Sequence, residues 1–332
     1  MGQFLVDERP HPELVEGPGP LHRPRAFGPV RSEMTDFIQN TVDGIMIGSR
    51  YSLLAIGFTL IFGIMRRLNL SYGPSIMLGV FTGTFLFVQY QAGWFVVAVA
   101  TLLGAVLAGI YVERLCFWAI RQGAALASMV SSFAIWMQLE ELTTLVFPSR
   151  TYAFPPLTSA MPFEVAGINI QASYLIMFGF AVAIMVALNF VLYRTRFGLA
   201  VRAVSENPLA ARFMGVGTGR VTFLAFALAS AIGGVAGYLI AANEQLVTPL
   251  FGLWATFKGM IAMMLGGMGS VPGAILGGFL LGVVERHATW YLGIEYRDIA
   301  AYGLLFAFLV LRPGGLLGQR LAERERLALR RV

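Results

Sequence analysis

Five ionisable side chains lie inside long apolar runs: Asp43 and Arg50 in one, Glu140 and Glu141 in another, and Lys258 in a third. Each costs roughly 2.5–3.5 kcal/mol at the centre of a bilayer on insertion scales, so such groups belong to ion pairs, solute paths or interfaces. Asp43 and Arg50 are seven residues apart, on one helical face at a separation of about 10 Å. That spacing allows an intrahelical or cross-helix pair, or an interfacial Asp43 with Arg50 snorkelling. Glu140 and Glu141 stand near the end of their run and are expected at the interface. Lys258, the only lysine, either holds a structural pair or lies beside a pathway. Catalysis has little to stand on: no nucleophile, base and orienting group occur together. Cys116 is the only cysteine, and His11, His22 and His287 are the only histidines, so no metal site and no cofactor are expected. No Gly-x-x-x-x-Gly-Lys-Ser/Thr pattern exists, and ATP-driven work would need another chain.

The elements that must position these groups are helices in lipid. Of 332 residues, 57% are hydrophobic and 13% charged, about half the charge of a soluble domain, and the mean hydropathy is +0.71. The expected fold is an all-α polytopic membrane protein. Spans read near 37–65, 74–91, 94–112, 125–147, 173–193, 221–243 and 297–312, judged against the ~20 residues that cross ~30 Å of hydrocarbon. A broken segment at 254–286 is interrupted by Gly266-Gly267-Met268-Gly269-Ser270-Val271-Pro272-Gly273, which brings the expectation to about 8 transmembrane helices. Irregular backbone at that depth survives only inside protein or beside a water-filled cavity. The chain around 66–74 is irregular too, and Pro74–Phe81 echoes Pro272–Phe279, a weak internal repeat. Interrupted segments in both halves point to a translocation site.

Arginine sets the orientation. The net charge is +6, but the arginines cluster between apolar runs rather than on one face, so nucleic acid is not the partner. Loop 194–220, with five arginines, the link 113–124 and the tail 319–332 are expected in the cytoplasm, and 148–172, with one arginine and four prolines, outside. Between 220 and 312 the chain must then cross an even number of times, so 254–286 is either a re-entrant hairpin or two crossings. Residues 1–33 hold six of the 15 prolines without apolar periodicity and are expected to be a disordered extension preceding a transmembrane domain at 34–318, with Met34 a plausible start.

Loop 194–220 carries its own structure. Ser205 could cap a short helix with Glu206 and Pro208 in its first turn, and Gly215 could end it. Leu209, Phe213 and Met214 would then be available for docking into a groove on a partner.

The loop residues Gly198, Arg202, Ala203, Glu206, Asn207, Ala210, Ala211, Arg212 and Gly215 make it similar to the cytoplasmic coupling loop of permeases in branched-chain amino acid ABC importers. The resemblance covers about 37–318. It takes in Asp43-Gly44, Gly48-Ser49, Ala55-Ile56-Gly57, Lys258, the stretch Leu265–Ala274, and the ending Arg312-Pro313-Gly314-Gly315-Leu316. Two departures are Asn69-Leu70-Ser71-Tyr72-Gly73, where the family carries Asn-Phe-Ala-His-Gly, and Arg50, where it carries an apolar residue. The resemblance implies a bacterial inner-membrane permease subunit for branched-chain amino acids or a related small polar solute such as urea or a short amide. Its partners would be a second, similar permease, two cytoplasmic ATPases that hold the ATP, and an extracytoplasmic solute-binding protein. It also implies coupling through Arg202, Glu206, Asn207, Ala210, Arg212 and Gly215, and a pathway near Asp43, Arg50, Asn69, Tyr72, Gly73, Lys258, Gly267 and Gly269. The alternative from the residues alone is a stand-alone secondary transporter or channel, with Lys258 and Asp43 as coupling charges.

Overall fold

The computed structural model describes residues 33–118, 125–149, 151–158, 163–165 and 168–318. Expectations for 1–32 and for the tail 319–332 lie outside the described residues.

The central element is α1 (Glu33–Met65), 33 residues and about 50 Å long. Glu33 and Asp36 in its first turn oppose the positive end of the helix dipole. From Gly48 to Leu60 every residue is buried, as befits a helix apolar on all sides that forms the core of a bundle. Around it lie α2 (Tyr72–Tyr90), α3 (Trp94–Val112, running on as a π-helical turn, Glu113–Trp118), α4 (Ala125–Val146) and α5 (Ala172–Arg194). Two short helices follow, α6 (Arg196–Glu206) and α7 (Pro208–Phe213), and then α8 (Thr218–Glu244), α9 (Phe251–Gly266), α10 (Val271–Tyr291) and α11 (Arg297–Leu311).

Helices α1 and α10 pack backbone to backbone, and glycine makes it so. A Cβ added at Gly48 would sit 2.7 Å from the Cα of Phe279, and one at Gly282 would sit 2.4 Å from the backbone of Gly48. Gly44 and Gly278 face backbone just as closely. Each helix thus offers two small residues four apart, which lets main chains touch where lipid supplies no hydrophobic drive for helix association. The echoed segment uses its small residues alike: Gly79 and Gly83 of α2 admit Thr101 and Ala105, and Thr101 and Val97, of α3.

Both expected breaks occur, and protein groups satisfy each. Between α1 and α2 the chain is non-helical while still buried at Asn69 and Ser71. Serines of α4 supply its partners: Arg67 donates to Ser128 Oγ at 2.6 Å, the Leu70 amide donates to Ser132 Oγ at 3.2 Å, and Ser71 Oγ donates to the Ser132 carbonyl. Between α9 and α10 the chain bends by 116°. There Gly267 adopts φ +108°, a conformation costly for any residue with a Cβ. The orphan carbonyls ending α9 are capped from far along the chain: the amides of Leu316 and Leu317 donate to Leu265 and Gly266, each at 2.9 Å. This turn lies beside the segment after α11 and near Gly63 at the end of α1.

Among the described residues four helices (α1, α3 with its π turn, α5 and α8) are long and apolar enough to cross a membrane, five if the bent pair is taken as one span. Helices α2, α4 and α11 occupy their expected positions but fall short of that test, α11 with only 15 residues. Two small ribbons interrupt the all-α pattern: β1 (Tyr152–Ala153) pairs with β4 (Leu246–Val247), and β2 (Phe163–Val165) with β3 (Ile168–Ile170).

If the seam sets the fold, Gly48→Leu will give little monodisperse protein in detergent, whereas Gly179→Leu, with nothing within 4 Å of its Cβ, will behave as the parent. Equal thermal stability of the two variants would refute the role given to the seam.

Candidate functional site

A chain of polar groups joins five helices, buried at Arg50, Tyr51, Lys258 and Glu285 and exposed at its two ends, Glu244 and Asp298. Lys258 of α9, 2% exposed, donates to Glu285 of α10 at 2.5 Å and to Asp298 of α11 at 2.7 Å. Glu285, also 2% exposed, accepts from the Tyr51 hydroxyl of α1 at 2.6 Å. Arg50 donates to that hydroxyl at 3.4 Å and pairs with Glu244, the last residue of α8, at 3.1 Å. The Arg50 guanidinium also lies 5.2 Å and 5.5 Å from the ring centres of Tyr51 and Trp254. Two cations and three carboxylates are thus arranged with opposite signs adjacent. Desolvating the buried ions Arg50, Lys258 and Glu285 costs several kcal/mol each, which is recovered only when partners fill their hydrogen-bonding positions.

Of the expected pathway residues, Arg50 and Lys258 are brought together, bridged by Tyr51 and Glu285. Asp43 and Arg50 do not pair with each other. Asp43 accepts instead from Arg286 at 2.9 Å and from Gln39 at 3.0 Å, cross-helix and intrahelical respectively. Lys258 and Asp43, the charges of the stand-alone reading, are both ion-paired. Glu140 accepts from Trp136 on its own helix at 2.7 Å, and Glu141 is exposed. Tyr72 packs edge-on against Phe58 and donates to the Ala229 carbonyl at 3.0 Å. Gly73 lies against Thr256 and Gly252 of α9. Asn69 Oδ1 accepts from the Ser71 amide at 3.0 Å, and its buried Nδ2 has no partner. Gly267 sits apart from these, packed on Gly314 and Gly318, while Gly269 faces open space.

At the arginine-rich end, α7 is a separate two-turn helix. Its cap is Asn207, not Ser205: Asn207 Oδ1 accepts from the amides of Leu209 at 3.1 Å and Ala210 at 3.0 Å, with Pro208 in the first turn. The pyrrolidine ring disfavours helical geometry in the residue before it, so the cap moves to Asn207 and Glu206 closes α6 instead. Ser205 Oγ donates back to Arg202. Gly215 follows the C-terminus at φ +81°, and the amides of Gly215 and Val216 donate to Arg212 and Ala211. Ala210 and Arg212 are exposed on α7, and Arg202 lies 5.1 Å from the Tyr193 ring centre. Leu209, Phe213 and Met214 are 62%, 82% and 84% exposed.

Sequence reasoning missed Tyr51, Glu244, Glu285, Arg286 and Asp298. A signal for one pair existed, because Glu285-Arg286 ends the apolar run of the broken segment with opposite charges. Their partners stand between 27 and 243 residues away, and no local pattern names them.

Residues 40–310 match the profile of the family described as "Branched-chain amino acid transport system / permease component". The chain is 31% identical over 300 residues to the high-affinity branched-chain amino acid transport system permease protein LivH of Escherichia coli (strain K12), covering 87% of this chain and 97% of that protein. It is 30% identical over 305 residues to the corresponding permease protein BraD of Pseudomonas aeruginosa (88% and 99%). To LivM, a second permease protein of E. coli (strain K12) with the same system name, it is 28% identical over 306 residues (84% and 70%).

Removing one member of the buried chain should cost more than removing two. Lys258→Met leaves the Glu285 carboxylate without its cation and is expected to lower stability by about 3–5 kcal/mol, and Lys258→Met with Glu285→Gln should regain most of it. Thermal unfolding in detergent reads the difference, and a double variant no more stable than the single would show that the charges do not act as a pair.

Proposed function

This chain belongs to the branched-chain amino acid transport permease family, and we propose that it is the membrane subunit of an ATP-driven importer for branched-chain amino acids or a related small polar solute. It is a multi-pass bacterial inner-membrane protein and not itself the ATPase. The observation that carries the importer reading is α7. Three large apolar side chains face water on a helix whose two ends are pinned by Asn207 and Gly215. Exposed apolar clusters of this kind mark surfaces that another chain covers, and here that chain is a cytoplasmic ATPase. The likeness to both LivH and LivM supports pairing with a second permease, so two ATPases would serve the pair. An extracytoplasmic protein would deliver the solute to the opposite face.

The geometry also suggests how a push on α7 travels. Helix α6 is locked to α5, because Gly198 lies against the carbonyls of Val191 and Leu192 with no room for a side chain. Behind α7 is a cavity of about 550 Å³ bounded by Met65 at the end of α1, Phe117 of the π turn and Thr222 of α8. The cavity gives α7 room to move against α8. Helix α8 ends at Glu244 in the buried charge chain, and α1 carries Arg50 and Tyr51 there. ATPase closure would thus reach the opposite face along two helices.

Two measurements test this. Affinity purification of the tagged protein from its native membrane should recover two ATPases and a second permease. Recovery of the chain alone, even after crosslinking in the membrane, would count against the importer. Phe213→Asp should leave membrane insertion intact and cut ATP-driven uptake by on the order of tenfold or more, the loss expected for an interface residue worth above about 1.4 kcal/mol. Undiminished uptake would remove α7 from the coupling surface. Gly215→Ala should act in the same direction through backbone strain alone, since space around its Cβ is open.

A further inference from the structure

A cavity of about 440 Å³ opens where the π-helical turn after α3 meets the start of α8. Its volume is within the range of small-ligand sites. One turn before it the two helices touch, since a Cβ added at Gly109 would overlap the Ser230 side chain. Past that contact the wider π turn buries Cys116 and Phe117 and leaves Arg114, Leu115 and Trp118 exposed. Arg114 and Trp118 line the cavity together with Arg220, Phe223 and Leu224 of α8. Two candidate membrane spans end here, at Trp118 and at Thr218, so the cavity lies at the boundary between lipid and water. It is on the side of α6 and α7, because Glu113, Trp118 and Gly219 also border the cavity behind α7.

Both guanidiniums have donors to spare, and both are exposed. Arg114 is held by aromatic rings, 4.8 Å from the ring centre of Phe223 and 5.7 Å from that of Trp118. Its Nε lies 3.5 Å from the Glu113 carboxylate. Its Nη atoms, and the whole Arg220 guanidinium, have no hydrogen bond or ion pair among the described residues. Gly219 leaves room beside them, with nothing within 4 Å of its Cβ position. Two guanidiniums and the Glu113 carboxylate sum to one positive charge, which suits a singly charged anion. Trp118, Leu224 and Leu115 present apolar surface next to that charge. A small soluble anion gains nothing from such walls, whereas an anion that carries acyl chains gains from both.

We propose that this cavity holds the headgroup of an anionic glycerophospholipid from the adjoining leaflet. Its phosphodiester lies between the Nη atoms of Arg114 and the guanidinium of Arg220, and its acyl chains run along Trp118 and Leu224 into the bilayer. Basic pockets between membrane helices on the cytoplasmic side suit such headgroups, and the arginines of 113–124 and 194–220 place this end there by the positive-inside rule. The lipid would stand beside the wall that backs α7. Binding does not rest on the importer reading and holds whether or not ATPases join the chain.

Native mass spectrometry of the full-length chain in detergent tests this, with phosphatidylglycerol as the anionic probe and phosphatidylcholine as the zwitterionic one. The parent should bind phosphatidylglycerol the more tightly. Arg114→Gln and Arg220→Gln should each weaken that binding about fivefold and leave phosphatidylcholine unchanged. Arg194→Gln removes a cation from the last turn of α5, outside the cavity, and should keep the parent's preference. Gly219→Asp guards against misfolding as an explanation. A carboxylate in the first turn of α8 favours the helix dipole and meets no neighbour, so thermal unfolding should stay at or above the parent's while the preference is lost. Equal binding of the two lipids by the parent would overturn the proposal, as would a preference that survives Gly219→Asp or both arginine variants. So would an equal loss in Arg194→Gln, which would mean diffuse surface charge, or displacement of the lipid by inorganic phosphate, which would put a free anion in the cavity.

Discussion

The outer half of this protein depends on two helix backbones touching. Side chains at Gly44, Gly48, Gly278 or Gly282 would hold α1 and α10 apart by the width of a methyl group or more. At that greater spacing Tyr51 could not reach Glu285 at 2.6 Å, nor Arg286 reach Asp43 at 2.9 Å. The glycines make no polar contact through side chains, yet they decide which polar contacts exist. Once Glu285 is fixed against α1, Lys258 is drawn from α9 and Asp298 from α11, and the charge chain closes around a carboxylate that lipid could not hold alone.

The breaks in the bundle follow a similar logic with backbone in place of charge. A helix satisfies its own amides and carbonyls, and wherever it stops inside apolar surroundings other groups must take over. Ser128 and Ser132 do this for the link before α2, and the main chain after α11 does it for the turn after α9. Neither break is loose. Each is a place where the chain has exchanged self-sufficiency for contact with a distant segment, and such places can change partners without unravelling a whole helix.

Much of this was legible in the residues. The apolar runs located the helices, and the glycines and prolines marked both interruptions. The loop motif foresaw an exposed helix ended by Gly215. What was not legible has a common physical cause. Lys258 announces itself as a buried cation, but Glu285 and Asp298 stand near run ends, where carboxylates are ordinary, and only packing buries Glu285 and brings Asp298 to the same cation. Ser205 looked like a cap because serine caps helices often; Pro208 shifted the start by its effect on Asn207. Helices α2, α4 and α11 occupy expected positions without being as apolar or as long as a lone crossing.

The capping of α9 has a consequence in time. The amides of Leu316 and Leu317 reach back 51 residues to the carbonyls of Leu265 and Gly266. A chain is made from its N-terminus at about 5–20 residues per second, so the turn between α9 and α10 enters the bilayer seconds before its own cap has been synthesised. Until Leu316 and Leu317 have been made, those two carbonyls must be met by water or by the insertion machinery. The bend between α9 and α10 therefore becomes permanent only when residues made seconds later arrive as the latch on a joint laid down earlier.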